Sequence, residues 1–437
     1  MKSKRMLKML QLILPTIIGQ ICFFLFTIID GIFVGHGIGE DALGAVNIVF
    51  PFIMVINAIY MLIIIGGVAV TAVRFGRGDT AGGNDAFMHA FAIMLGIGIV
   101  LTIGGIICAR PLASFFGAND TYMPYVVDYL ICYCMFIVPS ALAMLLQYFC
   151  RTDGAPMLVM IATIVASICN IFLDWLFVFP LHMGMRGAAI ATGLSQTVSF
   201  FIMLCHFIFK KGNLRFQVFS FQKRLLGKIF LRGFPETIAQ FAVPIFTICM
   251  NHVLLFYIGE IAVNAYSVLG YVASFSVAIF IGVSSGAQPL FGEAYGEKAD
   301  RDLKFYFYMS VLIDLIGSVV VYVLLLFVGK PICDLFDTGK ETSEFIIAVL
   351  PKYAWGFVPM ALNTIISSYL YSTKRTIASV VANICRSFLF TFPVVFLLPT
   401  LFGASAIWFA FGICECFSLV VSILCLILSE RKGIVYR

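Results

Sequence analysis

Apolar stretches of roughly 20 or more residues, each long enough to cross a hydrocarbon core at 1.5 Å per residue, alternate along this chain with short polar breaks. They fall at about 10–35, 48–73, 87–109, 123–149, 157–180 and 187–209, and again at about 229–257, 262–291, 305–328, 345–371, 377–399 and 403–428. The pattern predicts an all-α membrane protein of twelve helices, six per half. Polar residues inside these helices are ordered. On helix 5, Thr163, Ser167, Asn170 and Asp174 are spaced 4, 3 and 4 apart, so they form one narrow stripe. Helix 1 carries Thr16, Gln20, Thr27 and Asp30, and helix 6 carries Thr192, Ser195, Gln196 and Ser199. These three faces are expected to enclose a polar chamber in the first half.

The halves are copies of one another. Pro15, Gln20, Thr27, Gly66, Gly76, Pro111 and Pro139 recur 220 positions later as Pro235, Gln240, Thr247, Gly286, Gly296, Pro331 and Pro359, and the run from Ile38 to Ala45 returns as Ile258 to Ala265. Such a unit is too long for a solenoid repeat. Six helices per unit return the chain to its starting side, so the repeats are parallel about an axis along the membrane normal, as in secondary transporters whose substrate path lies between halves. The expected division is a first lobe at 1–209, a basic linker at 210–224 and a second lobe at 225–437. Paired prolines within or near the starts of matching helices are expected to kink them.

The repeat also exposes an asymmetry. Asp30 corresponds to Met250 and Asp174 to Val394, whereas Gln20 and Thr27 keep their counterparts. Carboxylates at membrane depth are costly, and their absence from the second copy argues against a packing role. Asp30, Asn170, Asp174 and Thr27 are therefore the candidate coupling-ion residues, for a proton or for sodium held at Asp30, Asn170 and Asp174. Candidate cavity-lining residues are Gln20, Thr163, Ser167, Thr192, Gln196, Gln240, Thr247, Asn251, Gln288 and Arg386. For Thr163, Ser167 and the helix 6 residues, interhelical hydrogen bonding is an equally good account.

Composition confirms the membrane assignment: 62% of residues are hydrophobic, 11% are charged and the mean hydropathy is +1.05, more apolar surface than a soluble domain can hide. Of 28 Lys and Arg residues, 22 fall on one side of the predicted spans, 5 on the other and Arg386 within a helix. Both termini are therefore expected in the cytoplasm of a bacterial inner (plasma) membrane, and the net charge of +6 needs no nucleic acid. Met1 to Leu14 has no cleavage site of the small-x-small kind and is read as the start of helix 1. The 13 cysteines lack a CxxC pair and read as packing residues. No phosphate-binding loop and no metal-binding histidine pair is present, which argues against an enzyme. Among other membrane-depth charges, one acid of Asp314 and Glu415 is expected to pair with Arg386. Glu236 is expected to favour the N-terminal dipole of helix 7.

Several motifs carry a family resemblance: Pro15 with Asp30-Gly31-Ile32-Phe33-Val34-Gly35, Leu43-Gly44-Ala45, Arg74-Phe75-Gly76-Arg77-Gly78-Asp79, Asn170-Ile171-Phe172-Leu173-Asp174, and Gly286-Ala287-Gln288-Pro289-Leu290-Phe291-Gly292 with Tyr295-Gly296. In order and together they resemble the multidrug and toxic compound extrusion (MATE) family over essentially the whole chain, nearest its MepA-like branch. The resemblance implies two six-helix lobes around a V-shaped cleft and export of small amphipathic organic cations against inward proton or sodium flow, without another cofactor. It implies coupling roles for Asp30, Asn170 and Asp174. Some relatives carry a second-lobe acid about eight residues after the helix 7 proline, where this chain has Val243, so coupling is expected to rest on the first lobe. The expected partners are the lipid bilayer and the cationic substrate, with the chain acting as a monomer. The alternatives are a flippase for lipid-linked saccharide, which calls for several cavity arginines, and a passive channel, which the duplication disfavours.

Overall fold

The computed structural model describes residues 2–38, 40–116, 118, 120, 122–335 and 340–431, and among them there are helices and no strand. Ten helical spans are long and apolar enough to cross a membrane, and two bent helix pairs bring the total to twelve. The chain divides into two compact units, Met6–Gly233 and Phe234–Arg437 with Met1–Arg5.

The first unit is built from α1 (Lys2–Gly37), α2 (Glu40–Gly76), α3 (Thr80–Ile107), α4 (Ala109–Phe115), α5 (Met123–Met135), α6 (Ile137–Thr152), α7 (Pro156–Val178) and α8 (Gly184–Ile208). The second contains α9 (Lys223–Gln240), α10 (Ala242–Tyr257), α11 (Glu260–Gly296), α12 (Asp300–Leu335), α13 (Lys340–Ala354), α14 (Phe357–Ser372), α15 (Thr376–Ile384), α16 (Thr391–Phe402) and α17 (Ala410–Arg431). The division falls inside α9, between Gly233 and Phe234.

The repeat is visible in the breaks. α5 and α6 meet at a 56° bend and α13 and α14 at a 41° bend, each just before a proline, Pro139 or Pro359, that removes a backbone donor. Other matching helices differ. α1 is continuous through Pro15, while its counterpart breaks at Phe241 into α9 and α10. α7 is one helix, while its counterpart is interrupted between α15 and α16 by a π-helical turn, Cys385–Leu389, in which the Phe390 amide donates to the Cys385 carbonyl at 3.1 Å. Such turns recur at functional sites.

Lipid supplies no hydrophobic drive for helix association, so close packing and buried hydrogen bonds must hold each unit together. The tightest approach in the first unit is between α2 and α9. A Cβ on Gly66 would collide with the Ile229 carbonyl, and a Cβ on Gly233 with the Leu62 carbonyl. Beside this contact Arg232 donates to the Ala69 carbonyl at 2.8 Å. Backbone faces backbone here, so no side chain can move aside.

The segment between α8 and α9, read from sequence as a basic linker, is bound along its length to the first unit. Asp153 accepts from the Asn213 and Leu214 amides at 2.8 and 3.2 Å and meets His206 at 2.8 Å. Asn84 donates to the Asn213 carbonyl at 3.1 Å and accepts from the Arg215 amide at 2.6 Å. His89 accepts from the Gln222 amide at 2.8 Å, and Phe216 packs on Phe87, Phe91 and Phe207.

Two outcomes follow from these contacts. Gly66→Ala and Gly233→Ala should each lower the thermal unfolding midpoint of detergent-purified protein, by an overpacking cost of about 1–3 kcal/mol. Gly104→Ala, where a Cβ meets nothing within 4 Å, should leave it unchanged. Asp153→Ala should release the strap, read as faster tryptic cleavage after Lys210, Lys211 or Arg215 in the folded protein.

Candidate functional site

The first unit brings the two acids together through helix register. α1 and α7 run parallel, and Gly19 on α1 sits against Met160 and Thr163 on α7, where a Cβ would be 3.9 Å from the Thr163 hydroxyl. Asp30 lies eleven residues beyond Gly19, and Asp174 eleven beyond Thr163. Eleven residues is about three turns, so the contact at Gly19 makes the two carboxyl groups face each other. Further along, Phe33 meets Phe179 edge-on at 5.7 Å and a Cβ on Gly37 would strike Val178.

The carboxyl groups are close enough to share a hydrogen bond when one is protonated, and the Asn170 amide lies beside Asp174. No basic group bonds them: Asp30 Oδ1, both oxygens of Asp174 and Asn170 Oδ1 are buried without a hydrogen bond of good geometry, and the Asn170 amide is the donor beside Asp174. Asn170 and Asp174 are completely buried. Asn170 Nδ2 donates to Thr192 Oγ1 on α8 at 3.5 Å. Four acceptor oxygens with no basic group among them suit a proton or a cation that accepts oxygen ligands. Among the described residues no cluster of three His, Cys, Asp or Glu side chains suits a metal ion.

Other residues of the polar stripes behave differently. Thr16, Thr163 and Ser167 donate to the carbonyls of Leu12, Val159 and Thr163 four residues earlier, at 2.7, 2.9 and 2.9 Å, which satisfies them locally. Gln20 and Gln196 are half-buried. The side chains of Thr27 and Val243 lie outside the described residues. A residue that sequence reasoning passed over is Tyr129 on α5, a buried phenol within electrostatic range of both acids and stacked on Tyr133 at 6.1 Å. A tyrosine in an apolar run carries no periodic signal, and only the register of α5 against α1 and α7 reveals it.

The second-unit candidates do not converge on one point. Gln240 donates to Glu236 at 3.2 Å. Thr247 bonds Tyr266, and Asn251 Oδ1 and Gln288 Nε2 are buried without partners. Arg386, in the π-helical turn, pairs with Glu415 on α17 at 2.9 Å. Glu415 also accepts from Asn363 at 2.8 Å, and Ser422 donates to Asn363 at 2.9 Å. The expected helix-dipole role of Glu236 is corrected: α9 begins at Lys223, so Glu236 is an interior residue, held by Gln240 and facing Arg386. Asn383 donates to the Pro235 carbonyl at 2.8 Å, tying α15 to α9.

The MatE family model matches residues 15–176 and 235–397, once in each half. The chain is 26% identical to a FAD transporter of Shewanella oneidensis, covering 97% of this chain and 94% of that protein. It is 23% identical to the multidrug export protein MepA of Staphylococcus haemolyticus, covering 93% and 90%. In fold it matches a multidrug resistance MATE family transporter of the MOP superfamily, solved in an outward-facing conformation, with a TM-score of 0.91 at 21% identity, covering 97% and 95%. With both repeats matched and the membrane-spanning fold shared end to end, the chain belongs to the MatE family, the multidrug and toxic compound extrusion transporters.

Proposed function

We propose that this transporter is an antiporter that exports small amphipathic organic cations and couples their exit to the inward flow of a proton or sodium ion through Asp30, Asn170 and Asp174. The observation that carries this reading is the set of four buried acceptor oxygens without a basic partner on these three side chains. Facing carboxylates in a low-dielectric interior repel each other, and one bound proton or cation removes the repulsion. Loading and unloading that ion therefore changes how tightly α1 and α7 hold together. An apolar groove of about 380 Å³ is lined by Phe33 of α1 and Ile168, Ile171, Phe172 and Trp175 of α7. Its aromatic faces suit an amphipathic cation. Both termini in the cytoplasm and export by alternating access belong to the same reading, supported by the distribution of basic residues and the parallel repeat.

A flavin dinucleotide, the cargo named for the Shewanella relative, requires basic groups for its phosphates. Arg386 is committed to Glu415, which favours the cationic cargo.

Replacing Asp174 with Asn should abolish ethidium efflux driven by an imposed proton or sodium gradient in proteoliposomes, with membrane insertion unchanged. Wild-type efflux in that variant would contradict the assignment. Linkage gives a second outcome: ion and drug must weaken each other by the same factor. If the ion is a proton, drug affinity should fall on the order of tenfold as the pH is lowered through the range in which the pair loads, and Asp30→Asn should flatten the profile. Titrating fluorescent drug binding against pH, with and without sodium, decides between the ions.

A further inference from the structure

α11, α12 and α14 pack against one another in the second unit, and their shared interior begins with an aromatic layer. Phe291 of α11, Phe307 of α12 and Tyr369 of α14 meet there, with ring centroids 6.5, 5.5 and 4.4 Å apart. One turn deeper, α12 carries Ser310 and α11 carries Gln288. Seven residues from the aromatic layer, two turns, the same faces carry Asp314 and Ser284. Ser368 and Ser372 of α14 lie at and beyond the aromatic layer, toward the end of the lobe where α11 and α14 finish and α12 begins.

These groups are buried and unsatisfied. Asp314 is 1% exposed and Ser310, Ser368 and Ser372 are 0%. Both carboxylate oxygens of Asp314, the hydroxyls of the three serines and Gln288 Nε2 have no hydrogen-bond partner. Sequence reasoning paired one second-lobe acid with Arg386, and the partner is Glu415, which leaves Asp314 alone. The ionisable side chains turned inward on its own helix and the helices packed around it, among the described residues, are Tyr306 and Cys333 on α12, Tyr266 and Tyr295 on α11, Tyr353 on α13, and Tyr369 and Tyr371 on α14. Charged groups on α11 and α13, namely Glu293, Lys340, Glu341, Glu344 and Lys352, are nearer helix ends. None of these is an electrostatic or hydrogen-bonding partner of Asp314.

The fold does not require polarity here. In the first unit the counterparts of Ser284, Gln288, Ser310 and Asp314 are Ile64, Val68, Ala90 and Met94, all buried apolar residues. The second lobe lacks counterparts of Asp30 and Asp174 and carries its own isolated acid where the first lobe is greasy. A lone buried carboxylate is unfavourable. A sodium ion needs several oxygens at contact distance, and no hydroxyl bonds this carboxyl, whereas a proton needs a single oxygen.

We propose that Asp314 is a proton-binding site of the second lobe, on the same interior face of α12 as Ser310. Its coupling to transport rests on the antiporter reading; its occupancy by a proton does not.

Infrared difference spectroscopy of the purified full-length protein, between acidic and alkaline buffer, reads the carbonyl stretch of a protonated carboxyl without a transport assay. The expected result is a deuterium-sensitive acid band that survives in an Asp30→Asn, Asp174→Asn background and vanishes when Asp314→Asn is added. An unchanged spectrum on that addition would overturn the proposal. In proteoliposomes, Asp314→Asn and Asp314→Met, the latter supplying the side chain found at the first-lobe counterpart, should each lower proton-driven efflux on the order of tenfold. Wild-type rates and pH profile in both would overturn the coupling role. A wild-type protein that shows the band but exports no cation would fault the antiporter reading and support the site.

Discussion

Two carboxyl groups facing each other inside the protein, with no basic side chain to balance them, are the constraint on which the first lobe depends. Asp30 and Asp174 are held opposite by the Gly19–Thr163 contact three turns away, so the protonation of the pair and the packing of α1 on α7 bear on each other. Without a proton or cation the pair pushes α1 from α7; with one it becomes an attractive contact. Thr16, Thr163 and Ser167, satisfied by carbonyls of their own helices, are neutral to that exchange.

The second lobe meets the same demand differently. Where α1 and α7 are continuous, their counterparts are broken at Phe241 and wound into a π-helical turn at Cys385–Leu389. Asn383 ties α15 to α9 through the Pro235 carbonyl, and the charge of Arg386 is met by Glu415, itself held by Asn363. One ancestral six-helix unit has thus diverged into a lobe where Asp30 and Asp174 face each other and a lobe where Arg386 is paired with Glu415.

Much of this was legible in the sequence because membrane helices announce themselves by length and because one polar residue every three or four positions fixes a face. The stripe from Thr163 to Asp174 and the missing counterparts of Asp30 and Asp174 singled out the two acids that the structure brings face to face. Tyr129 was not legible, since a buried tyrosine looks like any other apolar residue until its neighbours are known. The pairing of Arg386 was legible only as a choice between acids, which packing resolves toward Glu415. Glu236 was misplaced because an apolar run at 229–257 concealed that α9 starts earlier, with basic residues in its first turns.

The strap from Lys210 to Gln222 and the contact of Gly66 with Ile229 and Gly233 have a consequence for biosynthesis. The floor of the first lobe, at Asn84, His89 and Asp153, and the flank of α2 are completed by residues that follow the first six spans in the chain. A ribosome that has delivered α8 to the membrane has therefore not yet delivered a finished lobe. The first half reaches its native packing only after residue 233 has emerged, when synthesis of the second repeat is under way.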